Sequence, residues 1–229
     1  MKLEMPGYGR IAERKTKEIS MKWYDFFSGF YDSSLEKLYY SSRKRAVELL
    51  DLKDNQTVID IACGTGANFK HIIAANDKVT LYGTDYSHGM LKKGQKIIEG
   101  NNWENVFLFQ ADARALNISS IEQFTNKKLS FDRVICVLGL SVIPDWEMVL
   151  DNALRLLNDG GKIVVVDVFA EKRNFNTWLV EKIAKADLNR NIWQTLQTKT
   201  VNFHQEYLPV KENKVGGKLF VAVGTKQGN

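Results

Sequence analysis

Short apolar runs alternate with amphipathic stretches through the middle of the chain. The runs are rich in β-branched residues and predict strands at 57–62, 79–84, 106–110, 131–138 and 162–168. Helical periodicity between the runs predicts helices at 68–75, 87–100, 118–124 and 146–157. Strands that alternate with helices in this way are typical of a doubly wound, largely parallel α/β sheet.

Both ends of the chain depart from this alternation. At the start, a helix is predicted at 33–50, after a segment at 23–31 that is rich in aromatic residues. At the end, an amphipathic helix is predicted at 175–189, followed by strand-like runs at 200–208 and 218–225. A Gly-Gly pair separates these two runs, so we expect the sheet to finish with an antiparallel strand.

These patterns predict two parts. Residues 1–55 are predicted to form an N-terminal helical lid on the substrate side. Residues 56–229 are predicted to form the main domain, with a helical insertion at 170–199 on the same side. The main domain is expected to hold a seven-stranded, Rossmann-like sheet, mostly parallel, with an antiparallel C-terminal strand.

Composition narrows the class of protein. The 229 residues are 44% hydrophobic and 26% charged, an ordinary globular balance. The two cysteines, Cys63 and Cys136, lie far apart, so neither a metal-ligand spacing nor a disulfide framework is expected. With no apolar signal-peptide core at the start, and with the longest apolar stretch only half a membrane span, we expect a cytoplasmic protein. The net charge of +5 weakly favours anionic partners.

A glycine-rich turn follows the first predicted strand, in the order Asp60-Ile-Ala-Cys-Gly-Thr-Gly66. Glycines there let a ligand approach the backbone, although a plain strand-to-helix turn is the alternative. Ligands of doubly wound sheets bind beyond the carboxyl ends of the strands, where this turn lies. Phe69 stands where a dinucleotide fingerprint has its third glycine, which argues against NAD or FAD.

Acidic residues end three consecutive predicted strands: Asp60, Asp85 and Asp112. Asp85 lies about 20 residues beyond the glycine turn, where a ribose-binding carboxylate belongs in this architecture. A helix cap is the alternative role for Asp85. Asp112 is placed to accept a hydrogen bond from an adenine amino group. Together the three acids indicate a nucleoside-containing ligand.

The ordered motifs resemble those of class I S-adenosylmethionine-dependent methyltransferases. Segment 60–66 resembles the first motif of that family, 83–87 its ribose motif and 111–113 its adenine motif. Segments 131–139 and 156–167 resemble its fourth-strand motif and the motif before strand five. The resemblance covers about half of the chain and implies S-adenosylmethionine as cofactor, S-adenosylhomocysteine as product and no metal.

The resemblance also implies roles for single residues. Asp60 would organise the loop and the methionine amino group, Asp85 the ribose hydroxyls and Asp112 the adenine amino group. Residues 136–139 would run beside the transferable methyl group. The full set of implied cofactor-binding residues is Asp60, Ala62, Gly64, Thr65, Gly66, Asp85, Tyr86, Met90, Asp112, Ala113, Cys136 and Val137.

Two neighbouring groups within that family resemble this chain: the ubiquinone/menaquinone C-methyltransferases and the bacterial phospholipid N-methyltransferases. Segment 23–31 resembles the start of both groups, whereas segments 186–193 and 217–224 look more like the phospholipid group. We therefore expect N-methylation of a phospholipid amine such as phosphatidylethanolamine. The alternative is C- or O-methylation of a quinone precursor or another small soluble metabolite. A third hypothesis, a partner subunit that binds the cofactor without turnover, is disfavoured by the intact glycine and acidic set.

The residues expected to face the methyl acceptor are aromatic. Tyr24 and Tyr31 are the candidate catalytic residues, because a nearby phenol can take a proton from an amine acceptor. His88 and His204 are weaker candidates, more typical of surface and structural positions. The fourth strand lacks the Asn/Asp-Pro-Pro-aromatic motif of enzymes that methylate base amines, so no nucleic acid substrate is expected.

A membrane surface is the expected partner. Aromatic residues with basic neighbours suit an anionic bilayer, and they occur at Trp23, Phe27, Phe30 and Trp178. This pattern predicts peripheral association with the inner face of the membrane. A lid that closes over a small soluble substrate is the alternative. The oligomeric state is left open by the sequence.

Overall fold

The computed structural model describes residues 34–125 and 129–228. Its helices are α1 (Ser34–Leu50), α2 (Phe69–Ala75), α3 (His88–Asn101), α4 (Ile118–Thr125), α5 (Trp146–Leu156), α6 (Phe175–Ala184), α7 (Ile192–Lys199) and α8 (Glu212–Val215). Its strands are β1 (Thr57–Ile61), β2 (Thr80–Asp85), β3 (Val106–Gln110), β4 (Phe131–Val137), β5 (Leu157–Phe169), β6 (Val201–Tyr207) and β7 (Lys218–Thr225). A short 3-10 helix follows β3 at Ala113–Ala115.

The seven strands form one sheet in the order β3-β2-β1-β4-β5-β7-β6. The first five are parallel to one another, whereas β7 runs antiparallel to both β5 and β6. The order reverses direction at β1, so that β1 and β4 are neighbours and their carboxyl ends form the switch point where ligands of such sheets bind. The predicted seven-stranded Rossmann-like sheet is confirmed.

Helices cover both faces of the sheet because the central strands are apolar on both faces. Val58 of β1 packs in the layer that holds Ala46 and Leu50 of α1, together with residues of α2 and α3. Ile59, the next residue, packs in the opposite layer with Leu150 of α5, together with residues of α4 and α7. Consecutive strand residues therefore serve different layers, as the alternation of side chains along a strand requires.

Helix α1 belongs to the core of the sheet. Ala46 and Leu50 are fully buried in the same cluster as the strand residues. The part of the predicted N-terminal segment that precedes α1, including Tyr24 and Tyr31, lies outside the described residues, as do Trp23, Phe27 and Phe30. The lid and the domain boundary at residue 55 stay predictions.

The C-terminal part differs from the sequence prediction in three ways. The helix predicted at 175–189 ends at Ala184, because Lys185 adopts a left-handed conformation with φ 51°. A second helix, α7, was not predicted. The Asn-Asp-Gly-Gly stretch at 158–161 lies between the helix predicted at 146–157 and the strand predicted at 162–168. It belongs to β5, where it pairs with Lys226 beyond the end of β7. Within the described ranges, no helix is both long and apolar enough to cross a bilayer.

Candidate functional site

The carboxyl ends of β1 and β2 carry the glycine turn. The amide of Cys63 donates to the carbonyl oxygen of Thr84 at 3.0 Å, so the chain leaves β1 still joined to β2. Ala62, Gly64 and Gly66 then take left-handed backbone conformations, with φ 56°, 57° and 82°. Such a conformation strains alanine but not glycine. The strained Ala62 lies at the switch point, where backbone strain is typical of a ligand site.

The two glycines of the turn have different surroundings. A Cβ atom at Gly64 would meet no described atom within 4 Å, so this side of the turn is open to a ligand. A Cβ atom at Gly66 would lie 2.4 Å from the ring of Phe69, and one at Gly83 would lie 2.6 Å from it. The fully buried Phe69 ring therefore fills the space beneath the turn. This packing explains why a large aromatic residue occupies the place of a third glycine.

Asp85 connects the turn to helix α3. Its Oδ2 accepts a hydrogen bond from the amide of Gly64 at 2.9 Å, and its Oδ1 accepts one from the amide of Ser87 at 2.9 Å. Ser87 is the residue that caps α3, since its hydroxyl accepts from the amide of Met90 at 3.2 Å. Asp85 is thus not the helix cap. Each carboxylate oxygen can accept a second hydrogen bond, so Asp85 can also accept from ribose hydroxyls.

Asp60 is fully buried beneath the turn. Its Oδ2 accepts a hydrogen bond from Asn68 Nδ2 at 2.9 Å, while its Oδ1 has no partner among the described residues. Burial raises the pKa of Asp60 to about 7, opposed by the hydrogen bond from Asn68 and the charge of Arg43. A buried carboxylate oxygen without a partner is costly unless a ligand supplies a donor. Its position suits a cationic group.

Asp112 is held by a residue that the sequence analysis did not single out. Arg114 donates to Asp112 through Nε at 3.0 Å and through Nη2 at 2.7 Å. This pairing raises the pKa of Arg114 and fixes the plane of the carboxylate. The amide of Arg114 also donates to Asp112, which caps the 3-10 helix, and Asn152 of α5 anchors that helix through the carbonyl of Ala113.

The end of β4 lies against the glycine turn. A Cβ atom at Gly139 would lie 2.9 Å from Cβ of Ala62, so the chain that leaves β4 passes close to the chain that leaves β1. Leu138 takes a left-handed conformation with φ 60°. Cys136 and Val137 are buried, and burial raises the pKa of the Cys136 thiol well above its usual range. The thiol is therefore protonated, and the role predicted for Cys136 beside the methyl group stays a prediction.

The loop after β4, residues 139–143, is held from two directions. Buried Asp167, at the end of β5, accepts from the amide of Ser141 at 2.9 Å. Burial raises the pKa of Asp167 above the usual range of a carboxyl group. From the other side, Arg190 donates to the carbonyl oxygens of Leu140 and Ile143, the latter at 2.6 Å. The insertion that carries Arg190 is therefore attached to the loop beside the switch point.

The structure brings all twelve of the predicted cofactor-binding residues to one edge of the sheet. Asp60 lies near the end of β1, and Ala62, Gly64, Thr65 and Gly66 follow that strand. Asp85 ends β2 and is followed by Tyr86 and Met90, Asp112 and Ala113 follow β3, and Cys136 and Val137 end β4. The open side of Gly64 and the unpartnered oxygen of Asp60 fit S-adenosylmethionine, which carries an ammonium group on its methionine part.

The two histidine candidates are exposed, His88 at the start of α3, three residues beyond Asp85, and His204 on the edge strand β6. Across 34–125 and 129–228, no group of three or more His, Cys, Asp and Glu side chains could hold a metal ion. Sequence reasoning missed Arg43, Asn68, Arg114 and Arg190. Among the missed residues, only Asn68 carried a local signal, since it stands at the N-cap position of α2, two residues after Gly66.

The profile of a family described as "Methyltransferase domain" matches residues 52–215. A demethylmenaquinone methyltransferase of Desulfitobacterium hafniense is 29% identical over 149 residues, which are 64% of this chain and 54% of that protein. A phosphatidylethanolamine N-methyltransferase of Cereibacter sphaeroides is 30% identical over 144 residues, which are 62% of this chain and 65% of that protein. The chain thus spans between one half and two thirds of the length of these relatives.

Solved structures show the same fold. A phosphoethanolamine N-methyltransferase of Haemonchus contortus, in complex with phosphomonomethylethanolamine and S-adenosylhomocysteine, superimposes with a TM-score of 0.72. The superposition covers 96% of this chain and 62% of that chain, at 13% identity. At this identity the likeness concerns the fold alone.

Proposed function

The chain belongs to the methyltransferase domain family, and from this membership we propose that it methylates the amine of a phospholipid such as phosphatidylethanolamine at a membrane surface. Its cofactor is S-adenosylmethionine. When bound, the cofactor supplies a methyl group on a sulfonium, already activated for displacement. The chain itself must position the acceptor and exclude water.

The observation that carries this proposal is the apolar face of α6. Phe175 is 71% exposed and Trp178 is 50% exposed, and their rings stack with centroids 5.8 Å apart. Leu179 and Ile183 continue the same face and are also exposed. Large apolar side chains that cluster on the surface are typical of a binding surface, and an aromatic pair suits the interfacial region of a bilayer.

The charges around this face fit an anionic bilayer. Lys172, Arg173, Lys182 and Lys185 are exposed on or beside α6. Three acids lie in or just beyond the same stretch, Glu171, Glu181 and Asp187, and Arg173 pairs with Glu181 at 3.1 Å and with Asp187 at 3.4 Å. Four basic residues against three acidic ones leave a small excess of positive charge. Basic residues near an anionic surface add to binding, whereas they would hinder docking on a cationic one.

Helix α6 is coupled to the switch point through the chain that follows it. Thr177 of α6 donates through Oγ1 to the carbonyl oxygen of Gly216 at 2.7 Å, which fixes the helix on the body of the protein. Beyond α6, the amide of Asp187 donates to the carbonyl oxygen of Ser141 at 2.8 Å. The surface proposed to meet the membrane therefore belongs to the segment that holds the 139–143 loop. This connection supports delivery of a lipid headgroup to the end of β4.

An amine acceptor must lose a proton before or during methyl transfer. Tyr24 and Tyr31 remain the proposed groups for this step, and they lie outside the described residues. The Cereibacter sphaeroides relative, named as a phosphatidylethanolamine N-methyltransferase, supports an amine acceptor. The Desulfitobacterium hafniense relative, named as a demethylmenaquinone methyltransferase, supports C-methylation of a quinone precursor as the second candidate.

A methyl-labelled cofactor and defined vesicles separate these candidates. We expect label to enter the lipid extract when phosphatidylethanolamine is present in vesicles of phosphatidylcholine and phosphatidylglycerol. The matched control omits phosphatidylethanolamine, because the quaternary ammonium of phosphatidylcholine accepts no further methyl group. Label that enters only vesicles containing demethylmenaquinone would move the assignment to the second candidate. Label in neither lipid, with turnover of a soluble metabolite pool, would overturn the lipid proposal.

A further inference from the structure

Two buried hydrogen bonds join helix α1 to the acid beneath the glycine turn. Arg43 Nη1 donates to Asn68 Oδ1 at 2.6 Å, and Asn68 Nδ2 donates to Asp60 Oδ2 at 2.9 Å. We propose that Arg43 is a positioning residue for the cofactor: through Asn68 it orients the carboxyl group of Asp60 and favours its ionised form. Arg43 lies 17 residues before Asp60 and outside all the motifs of the sequence analysis.

The orientation follows from the donors and acceptors available. A guanidinium has only donors, so Asn68 must turn its carbonyl oxygen to Arg43 and its amino group to Asp60. Asn68 stands at the N-cap position of α2, yet its side chain makes no capping hydrogen bond. The side chain of Asn68 forms its hydrogen bonds with Asp60 and Arg43 instead. Asp60 Oδ2 is thereby engaged, and Oδ1 is left for a donor from the cofactor.

The positive charge of Arg43 also favours the ionised form of Asp60. All three side chains are buried, with exposed fractions of 6% for Arg43, 1% for Asn68 and 0% for Asp60. Arg43 lowers the pKa of Asp60, while the charge of Asp85 raises it. The thiols of Cys63 and Cys136 also lie near Asp60, but burial keeps both protonated. In this setting, loss of the charge on Arg43 would leave Asp60 protonated to a higher pH.

The test measures binding of S-adenosylhomocysteine by calorimetry between pH 6 and 8.5. In Arg43→Gln, an amide donor remains but the positive charge is lost. If the midpoint of Asp60 rises by about one unit from about 7, affinity should fall about ninefold at pH 6, about fivefold at pH 7 and about 1.3-fold at pH 8.5. The ligand's own ammonium titrates in the same way for every variant, so it cancels in these ratios.

Two further variants separate positioning from folding. Arg43→Lys keeps a positive charge near Asn68 and should therefore weaken binding at pH 6 less than Arg43→Gln does. Arg45→Gln is the matched control on the same helix, because Arg45 pairs with Glu206 at the surface. We expect no change in its affinity. Thermal unfolding is recorded for each variant to detect structural loss.

The proposal is overturned if Arg43→Gln weakens binding by the same factor at all pH values, since that result indicates a structural role. It is also overturned if affinity is unchanged at pH 6, or if Arg45→Gln reproduces the effect. The experiment contains no methyl acceptor. Its failure would therefore leave the lipid proposal untouched, and failure of the lipid proposal would leave this one untouched.

Discussion

Gly64 donates its amide hydrogen to Asp85 Oδ2 over 2.9 Å, so the acid that ends β2 holds the glycine turn that follows β1. One carboxylate thus fixes the open side of the turn and points toward the ribose position implied by the resemblance. The other oxygen of the same carboxylate, Oδ1, accepts a hydrogen bond from the amide of Ser87, which is the N-cap residue of α3. Shape and binding chemistry at this edge of the sheet depend on one side chain.

Asp85→Ala should therefore weaken cofactor binding through both effects. Loss of charge-assisted hydrogen bonds worth about 1.5–3 kcal/mol in total corresponds to about a ten- to hundredfold loss of affinity. Calorimetry with S-adenosylhomocysteine measures this loss of affinity. Asp54→Ala is the matched control. Asp54 lies before β1, at the end of the sheet opposite the glycine turn, and it pairs with Lys78. Equal affinities in wild type and Asp85→Ala would remove Asp85 from the site.

The two glycines of the turn should respond differently to alanine. Both have positive φ, so a Cβ atom costs about 1–2 kcal/mol of backbone strain at either position. At Gly66 the added atom also meets the buried ring of Phe69, whereas at Gly64 it enters open space. We expect Gly64→Ala to lose most cofactor affinity with a small drop in melting temperature. Gly66→Ala should lower the melting temperature more.

A double variant checks the cause of that larger loss. Gly66→Ala combined with Phe69→Leu should recover part of the melting temperature lost in Gly66→Ala, because the smaller side chain makes room for the Cβ atom. Phe69→Leu alone provides the baseline for the cavity that it creates. If the double variant unfolds at a lower temperature than both single variants, contact with the Phe69 ring is not the cause.

The sheet could be predicted from sequence because its strands are buried on both faces and stand out as continuous apolar runs. The acids of the site could be predicted for a related reason, since Asp60, Asp85 and Asp112 interrupt or end those runs. The side chains that hydrogen-bond to these acids, directly or through another residue, could not be predicted in this way. Arg43 reaches Asn68 across 25 residues, and nothing local marks the contact. The end of α6 was missed because Lys185, which takes the left-handed conformation, is not a typical helix-ending residue.

His71 predicts a pH dependence of stability. Burial, with the nearby charges of Lys70, Arg43 and Lys44, lowers the pKa of His71 from 6.5 to about 4. Between pH 6.5 and about pH 4, His71 is therefore protonated in the unfolded chain but not in the folded protein. The free energy of unfolding that His71 contributes is therefore lost as pH falls from 6.5 to 4. Asp60 acts in the opposite sense over this range, because its pKa is raised.

A variant isolates the histidine from Asp60. In His71→Leu, urea unfolding should show a smaller loss of stability between pH 7 and pH 5 than in the wild type. The contribution of Asp60 is common to both proteins and cancels in the comparison. His204→Leu, at an exposed position on β6, should keep the wild-type dependence. Parallel stability curves for wild type and His71→Leu would show that His71 is protonated in the folded protein as readily as in the unfolded chain.

The last prediction concerns the apolar face of α6. Replacing Phe175 and Trp178 together by Ser should reduce sedimentation with vesicles of phosphatidylcholine and phosphatidylglycerol. Burial of one large apolar side chain contributes about 1.5–3 kcal/mol, so loss of two partly inserted rings should lower the partition coefficient at least about tenfold. The melting temperature should hardly change, because both side chains are exposed. Tyr207→Ser, an exposed aromatic on β6, is the matched control and should bind like the wild type.

Salt separates the two contributions to this binding. The Debye length falls from ~10 Å at 0.1 M to ~3 Å at 1 M, so the attraction of Lys172 and Lys182 to anionic lipid should fade as salt rises. The apolar contribution of the rings persists, and the wild type should keep a salt-resistant fraction that the double variant lacks. If the double variant sediments like the wild type at every salt concentration, α6 does not meet the bilayer.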